Sequence, residues 1–190
     1  MSDLDGAQKS GDSRHTDEHV VARFFRRVAG VLRLDPRSFD EVEADPAAFW
    51  QAAAIVLVAG VARGVASLAS EGGPGLFGGV AGAIVLWLVA TSLLTGVGAR
   101  WVHGTTDFHE VLRTLGFAAA PLWLLAPAFF LQGSAYLGVA VFVHAWAIAA
   151  AVIAVRQALD VTTARALAAC GIALALAIAL LLLLGAWTPP

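Results

Sequence analysis

Residues 166–187 read ALAACGIALALAIALLLLLGAW, twenty-two positions without one charged side chain. The run is apolar on every side, so a helix here is surrounded by other apolar matter rather than by water. About 20 helical residues cross a hydrocarbon layer of about 30 Å, and this run is long enough. Lipid offers the backbone no hydrogen-bond partners, so the segment must satisfy its own amides as a helix. Four similar runs precede it, at 48–69, 76–99, 115–131 and 134–155. The third is the shortest and carries Pro121 and Pro127. Residues 132–133 leave room for a tight antiparallel hairpin between the third and fourth runs. The expected fold is all-α: an integral membrane bundle of five transmembrane helices over 47–190, preceded by a cytoplasmic amphipathic helix.

Composition agrees. Of 190 residues, 59% are hydrophobic and 14% charged, with mean hydropathy +0.78, against about 45–50% and about 25% in soluble domains. This excludes an ordinary soluble enzyme. The net charge of −2 gives no basic field for nucleic acid. Cys170 is the only cysteine and lies in an apolar run, so it carries no disulfide information within the chain.

Charge is concentrated at the N-terminus. Residues 1–46 hold seven of the twelve basic and ten of the fourteen acidic side chains. Residues 1–17 are polar and read as a disordered tail. The first apolar stretch comes late and mixed with arginine, so no cleavable secretion signal is expected. Within the juxtamembrane segment 18–46, Val20, Val21, Phe24, Phe25, Val28, Val31 and Leu32 recur at helical spacing, with Arg23, Arg26, Arg27 and Arg33 off that face or at its border. Such a basic amphipathic helix either lies on an anionic membrane surface or packs on the protein's own loops. Asp35-Pro36 ends it, and Ser38 with Glu41 reads as a capping box for a short turn before Pro46.

Basic residues set the orientation. Arg33 and Arg37, Arg100 and Arg113, and Arg156 and Arg165 flank alternate ends of the five runs, giving six on one side. Only Arg63 falls on the other. The N-terminus is therefore expected in the cytoplasm and the C-terminus outside, in the cell (inner) membrane.

The residues that could carry chemistry are few. No Gly-x-Ser-x-Gly elbow, His-Glu-x-x-His helix or phosphate loop ending in Lys-Ser/Thr occurs. His103, Asp107, His109 and Glu110 have metal-like spacing, although Asp107 and Glu110 equally match a helix cap. His144 sits mid-way along the fourth run, with Ala140, Ala147 and Ala151 on its face and Thr91 or Ser92 at similar depth. It reads either as a packing histidine with one satisfied nitrogen or as a polar site inside the bundle. Arg63 can snorkel to the outer interface and meet Glu71, or serve a polar site. Gly60 with Gly64, Gly75 with Gly79 and Gly78 with Gly82 have the Gly-x-x-x-Gly spacing that lets helices approach closely. They point to packing of the first helix on the second, or to homo-oligomer contacts through the same residues. No cofactor is expected.

Three patches, taken in order, resemble the Yip (Ypt/Rab-interacting protein) domain family of polytopic membrane proteins. They are Asp35-Pro36-Arg37-Ser38-Phe39 with Pro46; Phe108 with Gly116-Phe117-Ala118-Ala119-Ala120-Pro121; and the stretch from Ala154-Val155-Arg156-Gln157 through Asp160 to Arg165-Ala166. The resemblance covers about residues 20–187. It implies a five-helix bundle with a cytoplasmic N-terminus, and in eukaryotes an association with Rab-type GTPases and with membrane shaping or trafficking. The Asp-Leu-Tyr-Gly-Pro motif of those members is absent, and eleven arginines against one lysine suggest a prokaryotic-type member. The expected function is a non-enzymatic membrane-organising or partner-binding scaffold. Arg23, Arg26, Arg27, Arg156 and Arg165 would meet lipid phosphates or a protein partner on the cytoplasmic face. A small-solute or ion transporter using His144, Arg63 and the proline-broken third helix is the alternative, and an intramembrane enzyme is a third reading.

Overall fold

The computed structural model describes residues 20–102, 107–131 and 133–187, without the side chains of 69–71, 102 and 184–187. Among the described residues the regular structure is helical: α1 (20–32), α2 (Pro36–Glu43), α3 (Ala48–Glu71), α4 (Gly73–Val97), α5 (Phe108–Ala118), α6 (Leu125–Ala128), α7 (Gly133–Ala158) and α8 (Thr163–Trp187). A π-turn, Gly98–Val102, extends α4, and a 3-10 segment, Ala120–Leu124, joins α5 to α6. Five stretches are long and apolar enough to cross a membrane: Ala48–Leu68, Gly73–Trp101, Phe108–Ala128, Gly133–Ala158 and Thr163–Leu183. The protein is a multi-pass helical membrane protein. Helices α1 and α2 and the 98–102 and 159–162 connections gather at one end of the bundle, called here the charged end; Gly72 and Gly133 mark the opposite end.

Local chemistry sets the breaks. α1 closes with Leu34 at φ +58°: Asp35 N–H donates to the Gly30 carbonyl at 3.0 Å and Leu34 N–H to that of Val31 at 2.9 Å. This is the Schellman closure, with a leucine in the place glycine usually takes. α7 ends the same way at Asp160, φ +50°. α2 begins with Pro36 in its first turn and Asp35 as its cap, the carboxylate accepting from Arg37 N–H at 3.1 Å. The Ser38–Glu41 capping box is therefore not formed; the aspartate one residue before the proline takes that role.

The third span begins at Phe108, not at 115, and regular helix ends at Ala128. Arg113 and Thr114 make 108–114 look like a loop in sequence, yet both are buried. The Arg113 guanidinium donates to the Glu43 carbonyl at 2.5 Å, and the Thr114 hydroxyl to the Glu110 carbonyl at 2.9 Å. Pro121 converts the middle of this span to 3-10 geometry, since it has no amide to continue the α-helical ladder. The span is the centre of the bundle: 67% of its apolar window is buried, against 17–39% for the other four. Two tryptophans pin it, Trp87 Nε1–H of α4 donating to the Leu112 carbonyl (2.8 Å) and its own Trp123 to the Ile55 carbonyl of α3 (3.0 Å).

The closest helix contact joins α3 to α4 across the single-residue turn at Gly72, whose φ of +65° suits glycine. A methyl group added at Gly79 would fall 2.5 Å from Gly64 N, and one at Gly60 2.9 Å from Val80 Cα. One at Gly64 would meet Leu76 Cα at 2.7 Å, and Gly75 is also buried. Gly82 is different. A methyl there meets no atom within 4 Å, so it is not a packing glycine, nor is Gly78. The reason is helical phase: Gly79 faces α3, while Gly78 and Gly82 look into open space.

Substitution should separate the two kinds of glycine. Gly79→Ala is expected to lower the detergent melting midpoint, by overpacking of about 1–3 kcal/mol. Gly82→Ala should leave it nearly unchanged. Equal losses for both would mean that α3 and α4 do not meet through Gly79.

Candidate functional site

The charged end is organised by Arg27. Its side chain is only 4% exposed. One guanidinium nitrogen donates to Asp45 at 2.7 Å and to the Glu41 carbonyl at 3.3 Å, and another to Gln51 Oε1 at 3.1 Å. The hydrogen bond from Arg27 to Asp45 holds the Asp45 carboxyl below the usual aspartate range, against the opposing effect of burial. Arg23 adds a 3.9 Å ion pair to Asp45, and Arg26 pairs with Glu41 at 3.3 Å. Of the three α1 arginines expected at a membrane or partner surface, Arg27 is thus an internal tie. Arg23 and Arg26 lie at the surface, paired with acids of the same chain. Arg33, Arg37, Arg100 and Arg165 are exposed and Arg156 is half-buried.

These ties clamp α1 and α2 onto the bundle. Phe24, Val28 and Val31 of α1 and Phe39 and Val42 of α2 join a core with Ala48, Ala52, Phe117 and Ala154. Gly30 permits the crossing, since a methyl there would lie 1.8 Å from Ser38 Oγ. Trp146 of α7 donates to the Leu32 carbonyl at 3.1 Å. On the other side of α1, Val20, Val21 and Phe25 point away from the protein, 44, 53 and 59% exposed. The helix therefore has apolar groups towards the bundle and away from it.

At the end of α2, Glu43 sits near Glu110, Asp160 and Asp40, with Arg113 as the opposing charge. Burial first, then repulsion from those three acids, pushes its carboxyl up to about 7. Asp40 is joined to α7 by a hydrogen bond from Gln157.

Asp107 and Glu110, two of the metal-like residues, form a helix cap. Asp107 accepts from His109 N–H at 3.2 Å and Glu110 accepts from Asp107 N–H at 3.3 Å. Among the described residues no group of three or more His, Cys, Asp or Glu could hold a metal; His103 lies outside them.

His144 and Arg63 come together at a cavity of about 380 Å³. It is bounded by α3 (Val56, Ala59, Arg63), α4 (Gly78 to Ala90), the third span (Leu115 to Leu125) and α7 (His144 to Ala151). His144 is exposed at its rim and not enclosed by the bundle; its Nδ1 lies 2.7 Å from the Ala140 carbonyl. A carbonyl only accepts, so Nδ1 carries the proton in this contact. Thr91 and Ser92 are not its partners, because each donates at 2.8 Å to a carbonyl of its own helix, that of Trp87 or Leu88. Arg63 has no hydrogen bond or ion pair among the described residues, and the Glu71 side chain proposed for it lies outside them.

Sequence reasoning missed Glu43, Gly30, Gly116 and the tryptophan ties. Gly116 lies under Ala52 and Trp87, where a methyl would come within 2.7 Å of Ala52 Cβ. The signal for Glu43 was its place at the end of a short capped helix that also carries Asp40 and Glu41, with an arginine, Arg113, in the third span.

A raised carboxyl pKa means that folding favours the protonated form. The stability linked to Glu43 is therefore present below pH 4.5 and is lost as pH rises through about 7. Glu43→Gln removes this loss. The melting midpoint of the variant minus that of the wild type should grow between pH 5 and pH 8. A difference independent of pH would contradict the burial and repulsion assigned to this carboxyl.

The pattern of the Yip1 domain matches residues 29–185, from the end of α1 almost to the end of α8. No curated protein and no solved structure matches the chain. The order of helices, the Asp35-Pro36 entry and the capped, proline-broken third span all lie within that match, and the chain belongs to the Yip1 domain family.

Proposed function

We propose that the protein is a non-enzymatic membrane scaffold that lies in the cell membrane with its charged end in the cytoplasm and organises the leaflet on that side. One observation carries the reading: α1 is clamped to the bundle through Arg27 while Val20, Val21 and Phe25 face outward. A helix with apolar groups on its outer side as well belongs among acyl chains near the headgroups. Held there by the bundle, it adds volume to one leaflet only. The distribution of arginine supports the orientation, since Arg33, Arg37, Arg100, Arg113, Arg156 and Arg165 all belong to the charged end. Exposed Arg33, Arg37, Arg100 and Arg165, with Arg156, offer positive charge to anionic headgroups or to an acidic partner. Arg23 and Arg26, already paired, contribute less.

A solute-transporting role has the Arg63–His144 cavity in its favour. Against it, among the described residues His144 and Arg63 are the only ionisable groups lining a wall that is otherwise apolar apart from the Trp87 indole. Coupled transport ordinarily needs embedded acids or a polar path.

Reconstitution tests the scaffold reading. At equal protein density, the wild type should convert large vesicles to smaller or tubular ones in electron micrographs. The exposed double variant Val21→Glu, Phe25→Glu should fold and insert but leave vesicle size as in protein-free samples. Identical vesicles for both proteins would remove the proposal. Orientation is tested separately: cysteines at Thr163 and Ser134, with Cys170 replaced, should react with impermeant reagent from the cytoplasmic and outer sides respectively.

A further inference from the structure

We infer that the cavity between α4 and α7 is a binding site for an anionic, single-chain amphiphile: a carboxylate or phosphate head at Arg63 and an aliphatic chain along the apolar wall. Four observations converge on that chemistry. The volume of about 380 Å³ lies in the range of small-molecule sites. The wall is almost wholly aliphatic and aromatic, with Leu86, Trp87, Leu115 and Leu122 among its members. The cation Arg63 has no ion-pair partner among the described residues, although it stands eight residues inside α3 from Glu71, about 12 Å at ~1.5 Å per residue. The rim is exposed on two helices: Gly78, Gly82 and Leu86 on α4, and His144 and Ile148 on α7. Those two helices are apolar and span the bilayer, so the mouth opens sideways to acyl chains and not to water.

Charge selects the head. Arg63 is exposed at the cavity, remote from the acids of the charged end, and its planar fork suits carboxylate or phosphate. Glycines make the room. Gly78 and Gly82 have nothing within 4 Å of the position a methyl would take, so they leave a slot one side chain deep along α4. A neutral lipid would fill the slot but leave Arg63 unpaired; a small free anion would pair with Arg63 but leave the slot empty.

The test uses the full chain in detergent with 9,10-dibromostearate as the probe, reading quenching of tryptophan fluorescence, since Trp87 lines the cavity. Quenching should saturate, and the uncharged dibromostearyl alcohol should bind at least about tenfold more weakly, the loss expected for one hydrogen-bonded charge. Arg63→Gln should erase that preference for the acid. Gly82→Leu, which points a side chain into the slot, should abolish saturable quenching without lowering the melting midpoint. Gly171→Leu, on α8 and outside the cavity, should behave as wild type. Unsaturable quenching, or an acid preference retained in Arg63→Gln, would overturn the assignment. Competition by inorganic phosphate as effective as by unbrominated stearate would replace it with a small-anion site. A wild-type dimer that Gly82→Leu makes monomeric, with no amphiphile bound, would assign the slot to a second copy of the chain.

Discussion

Arg27 is a cation that cannot reach water. A buried guanidinium left without partners is strongly destabilising, so whatever surrounds Arg27 has to stay in place. Its partners come from three elements: Asp45 in the α2–α3 connection, the Glu41 carbonyl of α2 and Gln51 of α3. One side chain therefore fixes α1, α2 and the first membrane helix relative to each other. The exposed apolar edge of α1, the acids stacked over Arg113 and the entry to α3 all take their positions from it.

The same demand for satisfied polar groups recurs inside the bundle by other means. The Trp87, Trp123 and Trp146 indoles each donate to a backbone carbonyl on a different element. In a membrane the hydrophobic effect does not hold helices together, so packing and such hydrogen bonds have to. Packing is tightest where Gly60, Gly64 and Gly79 bring α3 and α4 into backbone contact. It is loosest where Gly78 and Gly82 open the wall. On α4, Gly78 and Gly79 are adjacent, and that single step separates a cavity from a structural contact.

Much of this was legible in the sequence. Five apolar runs and their turns follow from length and hydropathy, and amphipathic α1 from its spacing. Boundaries failed where a polar residue was buried with a distant partner: Arg113 is recognised as part of a helix only once Glu43 is beside it, seventy positions away in the chain. Arg23, Arg26 and Arg27 look alike in sequence because all three fall at the edge of the apolar face. Their fates diverge through Asp45 and Glu41, which depends on how α2 folds back. The Gly-x-x-x-Gly pairs were equally ambiguous, since spacing does not say which face meets a neighbour. His144 was expected to find a hydroxyl, but Thr91 and Ser92 are satisfied by their own helix.

The central claim is that α1 is part of the membrane body, clamped on one side and in lipid on the other. Spin labels placed singly at Phe25 and at Thr163, exposed at the start of α8, in protein reconstituted into nanodiscs, test it most directly through their collision rates with oxygen and with a water-soluble nickel chelate. The account predicts that the label at 25 is reached by oxygen far more than by nickel, and that the label at 163 is reached more readily by nickel than the label at 25. Nickel access at 25 equal to that at 163 would place α1 in water and contradict the account.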